Sequence, residues 1–202
     1  AISEGARKNE ELYKGKNAAL VAEDPKTGQV LALVGSRDYF DTENDGNFSV
    51  ATQGLRQPGS ALKPFAYLTA FEKGFSPTTV VFDVPTEFAA NNSLCPPVPD
   101  FSDNKPQCFH PENFDGQFRG PVSLREALSQ SINVPSVKVL YLADLRDVGE
   151  VAYRFGLTTL TNPDFYGLSL VLGGGAVRLS DLVSAYSVLA SDGVKRPQTL
   201  VL

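Results

Sequence analysis

Residues 56–71 of the chain read RQPGSALKPFAYLTAF. The proline and glycine before Ser60 predict a turn, and the segment that follows is apolar on most of its sides, which predicts a buried helix. Pro64 falls in the first turn of that helix, where a missing N–H group costs little. Gly74 is a natural C-terminal stop. We therefore expect a buried helix that begins near Ser60 and ends before Gly74.

Ser60 and Lys63 are spaced i and i+3, so a helix presents both side chains on one face. A serine hydroxyl is a poor nucleophile until a base takes its proton. The chain holds a single histidine, which makes a lysine base worth considering. A free lysine has a pKa of about 10.4 and is almost always charged at neutral pH, but burial can lower that value. The alternative interpretation is a helix N-cap followed by a solvated lysine.

A second group of polar residues lies in the sequence SQSINVP, residues 129–135. It falls at the break between two predicted helices, where a loop can present Ser131 and Asn133 together. The hydroxyl can relay a proton, and the carboxamide can hold a substrate amide with one donor and one acceptor. The alternative is that Ser131 or Asn133 simply caps a helix.

The rest of the chain predicts a hairpin and a mainly helical remainder. Residues 18–22 and 30–34 are short apolar runs around an Asp-Pro-Gly turn, which predicts an antiparallel hairpin. Residues 75–120 are rich in Pro, Asn and Asp and predict mostly irregular structure. Further helices are expected at 123–130 (with a Ser123/Glu126 capping box), at 134–142, 148–155 and 179–190, with a break at Gly173-Gly174-Gly175.

Composition excludes several classes of protein. The chain has 202 residues, of which 42% are apolar, so it can bury a sizeable core. Its net charge of −5 argues against nucleic-acid binding. One His and two Cys cannot supply a His/Cys zinc site of three or four ligands, and we predict no metal or cofactor. The sequence contains no membrane-spanning run, no signal segment and no Met, so we expect a processed or excised piece.

Taken together, these motifs resemble a known family. Residues 56–65 resemble the active-site segment of class A (bifunctional) penicillin-binding proteins, and residues 114–128 run into 131–135 as that family's second motif does. Residues 20–35 look like the family's opening hairpin, and residues 170–193 match its later helical segment. The resemblance covers about residues 18–195.

The resemblance implies an α/β (α+β) fold of the serine β-lactamase/transpeptidase type, an antiparallel sheet flanked by helices. The chain would supply the N-terminal strands and most of the helical part. Residues 1–17 are then expected to be a connector and residues 18–202 the N-terminal portion of a penicillin-binding transpeptidase domain.

The family's chemistry implies a D,D-transpeptidase that cross-links peptidoglycan stem peptides. Ser60 would attack the D-Ala-D-Ala carbonyl, with its N–H group forming half of an oxyanion hole. Lys63 would be the general base, Ser131 a proton relay, and Asn133 the residue that orients the substrate amide. Implied partners are stem peptides, the lipid-linked precursor and β-lactams.

The implied location is the bacterial extracytoplasmic face, with an anchor outside this chain. Because such compartments are oxidising, a disulfide between Cys95 and Cys108 is expected, with two unpaired thiols as the alternative. His110 is interpreted as a structural or surface residue.

The family's third motif, Lys-Thr-Gly, is not found where it belongs, downstream of Asn133. Lys26-Thr27-Gly28 precedes Ser60 and reads as ordinary turn chemistry, so we reject it as that motif. We therefore expect the chain to stop early and to be inactive alone or completed by a further polypeptide. Two rival functions stay open: a serine β-lactamase and a non-catalytic penicillin-binding sensor.

Overall fold

The computed structural model of the chain describes residues 2–102 and 105–200, and over these ranges it has an α+β fold. The helices and strands are α1 (Ile2–Tyr13), β1 (Leu20–Glu23), β2 (Val30–Val34), α2 (Lys63–Glu72), β3 (Val80–Asp83), β4 (Gly120–Ser123), α3 (Leu124–Ser129), α4 (Asn133–Ala143), α5 (Leu145–Phe155), α6 (Pro163–Tyr166) and α7 (Leu179–Ala190). Short 3₁₀ helices cover Thr42–Asn44, Gly59–Leu62 and Gly167–Leu172.

The chain divides into two compact units, of which the first holds the β1–β2 hairpin. The two strands pair antiparallel, with Leu20 opposite Val34, as the sequence predicts. The carboxylate of Asp24 organises the turn between them, accepting hydrogen bonds from the N–H of Lys26 at 2.9 Å and the hydroxyl of Thr27 at 3.0 Å. Lys26-Thr27-Gly28 therefore forms a hairpin turn. Helix α7 packs on β1 within the same unit.

Helix α1 covers most of the polar opening of the sequence. Arg37, in the loop after β2, forms ion pairs with Glu10 of α1 and with Asp41, the latter at 2.7 Å. The hydrogen bonds that the Arg37 guanidinium donates to the carboxylates of Asp41 and Glu10 raise its pKa. These bonds tie α1 to the loop that follows the hairpin.

The second unit comprises Gly59–Val148 and Asp164–Gly174 and contains all four predicted site residues. Its centre is the packing of α2 against α4. Both helices are apolar on nearly every side and lie in the core, where Phe65, Ala66, Val134 and Val137 are at most 1% exposed. The predicted buried helix is thus confirmed, although its α-helical part begins at Lys63.

Residues 75–120 are mostly irregular, as predicted, with one short strand that the sequence analysis did not predict. β3 lies inside this segment and pairs antiparallel with β4, Val81 opposite Val122. Along β3 the residues alternate between exposed and buried. The last buried position is Asp83, a charged residue, so the sequence lacks the alternation of apolar and polar residues that identifies a strand. The capping box between Ser123 and Glu126, which leads from β4 into α3, is present as predicted.

The segment between β3 and β4 is stabilised by covalent and polar contacts. The structure joins Cys95 to Cys108 in a disulfide. Glu87, whose side chain is fully buried, accepts a hydrogen bond from the N–H of Phe109 at 2.9 Å and lies 2.7 Å from Nδ1 of His110. His110 is therefore a structural residue of this segment.

None of the helices in the described ranges could span a bilayer. A spanning helix needs about 20 apolar residues. No described helix meets that requirement of length and apolarity.

Candidate active site

Ser60 lies on a short 3₁₀ turn, Gly59–Leu62, that leads directly into α2. The α-helix does not begin at Ser60 because Pro64 has no N–H group to donate to the carbonyl of Ser60, four residues earlier. In a 3₁₀ turn, side chains at i and i+3 eclipse one another, so Ser60 and Lys63 leave the turn on the same side. Ser60 is exposed to solvent and can be reached by a substrate.

A close backbone contact supports this turn from beneath. Gly173 ends the 3₁₀ helix Gly167–Leu172 with a φ of +98°, and a Cβ atom built on it would lie 2.5 Å from the N and Cα atoms of Gly59. No side chain fits in that gap. At the break that the glycine run predicts, Gly173 therefore lies directly against the turn that carries Ser60.

Lys63 is buried, with 1% of its surface exposed, and its ammonium group has three acceptors. Its Nζ atom donates to the carbonyl of Ser131 at 2.6 Å, to the hydroxyl of Ser131 at 3.1 Å and to Oδ1 of Asn133 at 2.8 Å. An ammonium group has three hydrogens, so these contacts use them all. Burial lowers the pKa of Lys63 to about 8. The lysine of the motif is thus not a solvated surface residue.

Ser131 occupies the break between α3 and α4 in a left-handed conformation, with a φ of +55°. That conformation costs a residue with a side chain about 1–3 kcal/mol. It brings both the carbonyl and the hydroxyl of Ser131 to Lys63. Ser131 is itself exposed, so its hydroxyl faces both Lys63 and solvent.

Asn133 is the first residue of α4, and its carboxamide bridges two partners. Oδ1 accepts from Lys63, and Nδ2 donates to the carbonyl of Glu112 at 2.9 Å. The N-cap of α4 is Ile132, which makes no capping hydrogen bond through its side chain. The helix-capping alternative for Ser131 and Asn133 therefore does not hold.

Three of the four site residues predicted from sequence form one hydrogen-bond network, in which Lys63 donates to both Ser131 and Asn133. The hydroxyl of Ser60 is not part of that network, and within residues 2–102 and 105–200 it has no hydrogen-bond partner.

Two residues that the sequence reasoning missed support Asn133. Oδ1 of Asn113 accepts from the backbone N–H groups of Asn133 and Val134, at 3.0 and 3.1 Å. Nδ2 of Asn113 donates to the buried carboxylate of Asp83 at 2.8 Å. The available signal was indirect: α4 has no capping side chain of its own, so its first N–H groups need an acceptor from elsewhere.

Tyr67 and Ser136 connect α2 to α4 one helical turn beyond the site. Their hydroxyls lie 3.1 Å apart, and Ser136 also donates to the carbonyl of Ile132 at 2.6 Å. Burial raises the pKa of Tyr67 to about 12, so its hydroxyl stays protonated at neutral pH. This pair holds the helix that carries Lys63 against the helix that carries Asn133.

Replacing Tyr67 by phenylalanine should lower the free energy of unfolding by about 1 kcal/mol, the usual net value of a buried hydrogen bond. The loss should be moderate because Ser136 keeps its bond to Ile132. Urea unfolding measures the change. A matched Tyr141→Phe variant, at a side chain on α4 that is 71% exposed, should change stability by less than about 0.5 kcal/mol. Equal stability of both variants would contradict a role for the Tyr67–Ser136 bond.

One cluster in the same unit has the composition of a metal site. Glu87, Cys95 and Cys108 place ligand atoms within 4.8 Å of one another. Cysteine binds metals as a thiolate, whereas these two sulfur atoms are bonded to each other in a disulfide. Their proximity to Glu87 therefore reflects the packing of the disulfide-bonded segment.

Comparison with family models identifies the chain. Residues 18–201 match the model described as the penicillin binding protein transpeptidase domain. The chain belongs to this family of penicillin-binding transpeptidase domains. The match begins at the hairpin and includes every residue of the site, and it confirms the family that the motifs suggest.

Relatives of this transpeptidase-family chain are bacterial penicillin-binding proteins. Penicillin-binding protein 1A of Rickettsia bellii is 34% identical over 177 residues, and that of Neisseria flavescens is 34% identical over 177 residues; each alignment covers 88% of this chain and 20% of the relative. The chain thus spans about a fifth of the length of these curated relatives.

Solved structures of the same family share the fold. The crystal structure of penicillin-binding protein 1A from Haemophilus influenzae is 29% identical with a TM-score of 0.67, over 85% of this chain and 23% of that one. Penicillin-binding protein 2 of Pseudomonas aeruginosa is 20% identical with a TM-score of 0.72, over 97% of this chain and 49% of that one. The predicted transpeptidase-like α+β fold is therefore confirmed.

Proposed function

We propose that this chain carries the nucleophile half of a D,D-transpeptidase that cross-links peptidoglycan stem peptides. The observation that carries the proposal is the arrangement around Lys63: a buried amine, bonded to Ser131 and Asn133, beside an exposed serine. The family supports a transpeptidase, and the site offers the groups that acyl transfer requires.

In the first step, Oγ of Ser60 forms a bond to the penultimate D-alanine carbonyl of a stem peptide. Its proton passes to the neutral amine of Lys63. The bond to the terminal D-alanine then breaks, and the leaving nitrogen takes a proton that Ser131 relays from Lys63. The product is an acyl-serine ester and free D-alanine. An amine of a second stem peptide attacks the ester carbonyl, the bond to Oγ of Ser60 breaks, and the proton that the amine loses returns to Oγ. The new amide is the cross-link, and Ser60 is restored.

The other groups bind and orient the substrate. Asn133 uses one lone pair and one N–H hydrogen in its bonds to Lys63 and Glu112, so one acceptor position and one donor hydrogen are left for a substrate amide. The backbone N–H of Ser60 is suited to stabilise the oxyanion of the tetrahedral intermediate. β-Lactams present a similar amide and would acylate Ser60.

We place the protein at the extracytoplasmic face of a bacterial membrane, where stem peptides and their lipid-linked precursor are found. The bacterial relatives named penicillin-binding protein 1A support that location. We also propose that the rest of the transpeptidase domain completes the site with the family's Lys-Thr-Gly motif.

The direct test is covalent labelling of the natural protein that carries this sequence. A fluorescent penicillin should modify Ser60, as located by peptide mass spectrometry, and Ser60→Ala should abolish the label. Ser93→Ala, at an exposed serine of the same unit, should label normally. Labelling elsewhere, or not at all, would contradict the proposal.

Two further readouts separate the rival functions. A transpeptidase should hold the penicilloyl ester for hours and transfer an acyl group from a stem-peptide mimic to an amine. Rapid turnover of penicillin would instead show a β-lactamase. A stable ester with no transfer to any amine would show a penicillin-binding sensor.

The rate of acylation should depend on the protonation of Lys63. Because the neutral amine is the base and its pKa is about 8, the rate should fall about tenfold per pH unit below pH 7 and level off above pH 9. Stopped-flow acylation at each pH, with circular dichroism to show that the fold persists, measures the profile. A rate that is flat between pH 6 and 9 would rule out a base with this pKa.

A further inference from the structure

The start of helix α4 depends on a side chain from outside the helix. Ile132, at its N-cap, provides no capping group. Instead, the backbone N–H groups of Asn133 and Val134 both donate to Oδ1 of Asn113, twenty residues earlier in the chain. Asn113 is buried, with 5% of its surface exposed. Unpaired N–H groups at a buried helix start are costly, so this single oxygen satisfies two of them.

The carboxamide of Asn113 can lie in only one orientation. Its oxygen faces two N–H donors, while its nitrogen donates to the carboxylate of Asp83 at 2.8 Å and to the backbone carbonyl of Gln117 at 2.7 Å. A flip of the amide would place donors against donors and acceptors against acceptors. All four hydrogen-bonding positions are used, so the group is rigid.

Asp83 connects this amide to the β3–β4 sheet. It is the last residue of β3 and is 0% exposed. Oδ1 accepts from Asn113, and Oδ2 accepts from the backbone N–H of Arg119 at 3.0 Å, just before β4. Both oxygens of a buried carboxylate are thus satisfied, and the sheet holds the amide in place.

Asn133 is therefore held from two sides by one short segment. Asn113 holds its backbone N–H, and the neighbouring Glu112 carbonyl accepts from its side-chain Nδ2 at 2.9 Å. The direction of the Asn133 carboxamide, and with it the acceptor offered to Lys63, follows from these two contacts.

We infer that Asn113, backed by Asp83, is a positioning residue that aims Asn133 at the substrate amide. The inference rests on the proposed function. Asn113 is buried at the start of α4 and acts through Asn133, so its removal should affect most strongly the substrates that Asn133 recognises by their amide.

The test compares two β-lactams in the natural protein: benzylpenicillin, which carries a side-chain amide, and 6-aminopenicillanic acid, which has none. Asn113→Ala should lower the acylation rate constant for benzylpenicillin at least about tenfold more than that for 6-aminopenicillanic acid. Asn133→Ala should shift the ratio the same way. Gln117→Ala should leave the ratio unchanged, because the Gln117 side chain is exposed and only its backbone carbonyl contacts Asn113.

A wild-type ratio in a folded Asn113→Ala variant would overturn the inference while leaving the proposed function intact. If that variant does not fold, Asp83→Leu is the second one: it keeps about the size of the side chain but removes both acceptors, including the one for Nδ2 of Asn113, and it should shift the ratio in the same direction. An unchanged ratio in folded Asp83→Leu would likewise overturn the inference.

Amide hydrogen exchange in the wild type needs neither a variant nor acylation. The N–H groups of Asn133 and Val134 should be protected about as well as that of Val137, farther along the same helix. Fast exchange at Asn133 and Val134 beside a protected Val137 would overturn the inference. If the wild type showed this protection but no acylation, the proposed function would fail, and only the anchoring of the start of α4 by Asn113 would remain.

Discussion

Replacing Lys63 by methionine should lower the rate constant for acylation of Ser60 by roughly 10²–10⁴-fold, the range attributed to a general base. Methionine has similar length and fits a buried site, but it cannot accept the proton of the serine. It also leaves the carbonyl and hydroxyl of Ser131 and the Oδ1 atom of Asn133 without the donor they share. Stopped-flow labelling with a fluorescent penicillin measures the loss.

Lys63→Arg separates charge from proton transfer. Arginine keeps a positive charge but cannot be deprotonated in a protein, so it should be as inactive as methionine if the lysine is the base. Lys73→Met provides the matched control: Lys73 follows α2 and forms an exposed ion pair with Asp147. Its acylation rate should stay within about twofold of the wild type, since such pairs contribute little. Acylation by either Lys63 variant within tenfold of wild type would exclude Lys63 as the base.

The residues of the candidate site could be singled out from the sequence because their signals are local. Ser60 and Lys63 are three residues apart, and Ser131 and Asn133 are two apart. The turn residues Pro58 and Gly59, and the apolar surroundings of the lysine, indicated both the presentation of the serine and the burial of the amine. The contact between the two motifs could be seen only in the structure, because Lys63 and Ser131 are 68 residues apart in the chain.

The support beneath the site could not be predicted for a related reason. Asn113 lies in a Pro- and Asp-rich segment with no periodic pattern, so nothing near it indicates that its partner is the start of α4. Asp83 occupies the buried face of β3, where a charge hides the alternation that marks a strand. The role of each residue depends on hydrogen-bond partners that are distant in the chain, and a single sequence does not reveal those partners.

Gly173 was predictable only in part. The glycine run is visible in the sequence, but the contact that Gly173 makes is not. Its close approach to Gly59 depends on the 3₁₀ helix Gly167–Leu172 packing against the turn that carries Ser60. The run predicts a break between helices, and the structure shows why glycine is needed at residue 173. The space between the two backbones leaves no room for a Cβ atom.

Gly173→Ala should therefore displace the nucleophile. A Cβ atom would lie 2.5 Å from N and Cα of Gly59, too close for any backbone to tolerate, so the turn carrying Ser60 must shift. Overpacking of this kind costs about 1–3 kcal/mol of stability. A misplacement of about 1 Å can cost about 10²-fold in rate, so acylation should fall far more than the stability alone suggests.

Gly74→Ala isolates the contact from the backbone strain. Gly74 has a φ of +93°, close to the +98° of Gly173, but nothing lies within 4 Å of its added Cβ atom. Both variants place a residue with a side chain in the left-handed conformation, so both should lose stability through backbone strain. Only in Gly173→Ala does the added Cβ atom clash with the turn that carries Ser60. We expect similar strain but near-normal acylation in Gly74→Ala, and a loss of at least about tenfold in Gly173→Ala. Equal acylation rates, measured with both variants folded, would show that the turn can move without moving the serine hydroxyl out of reach of Lys63.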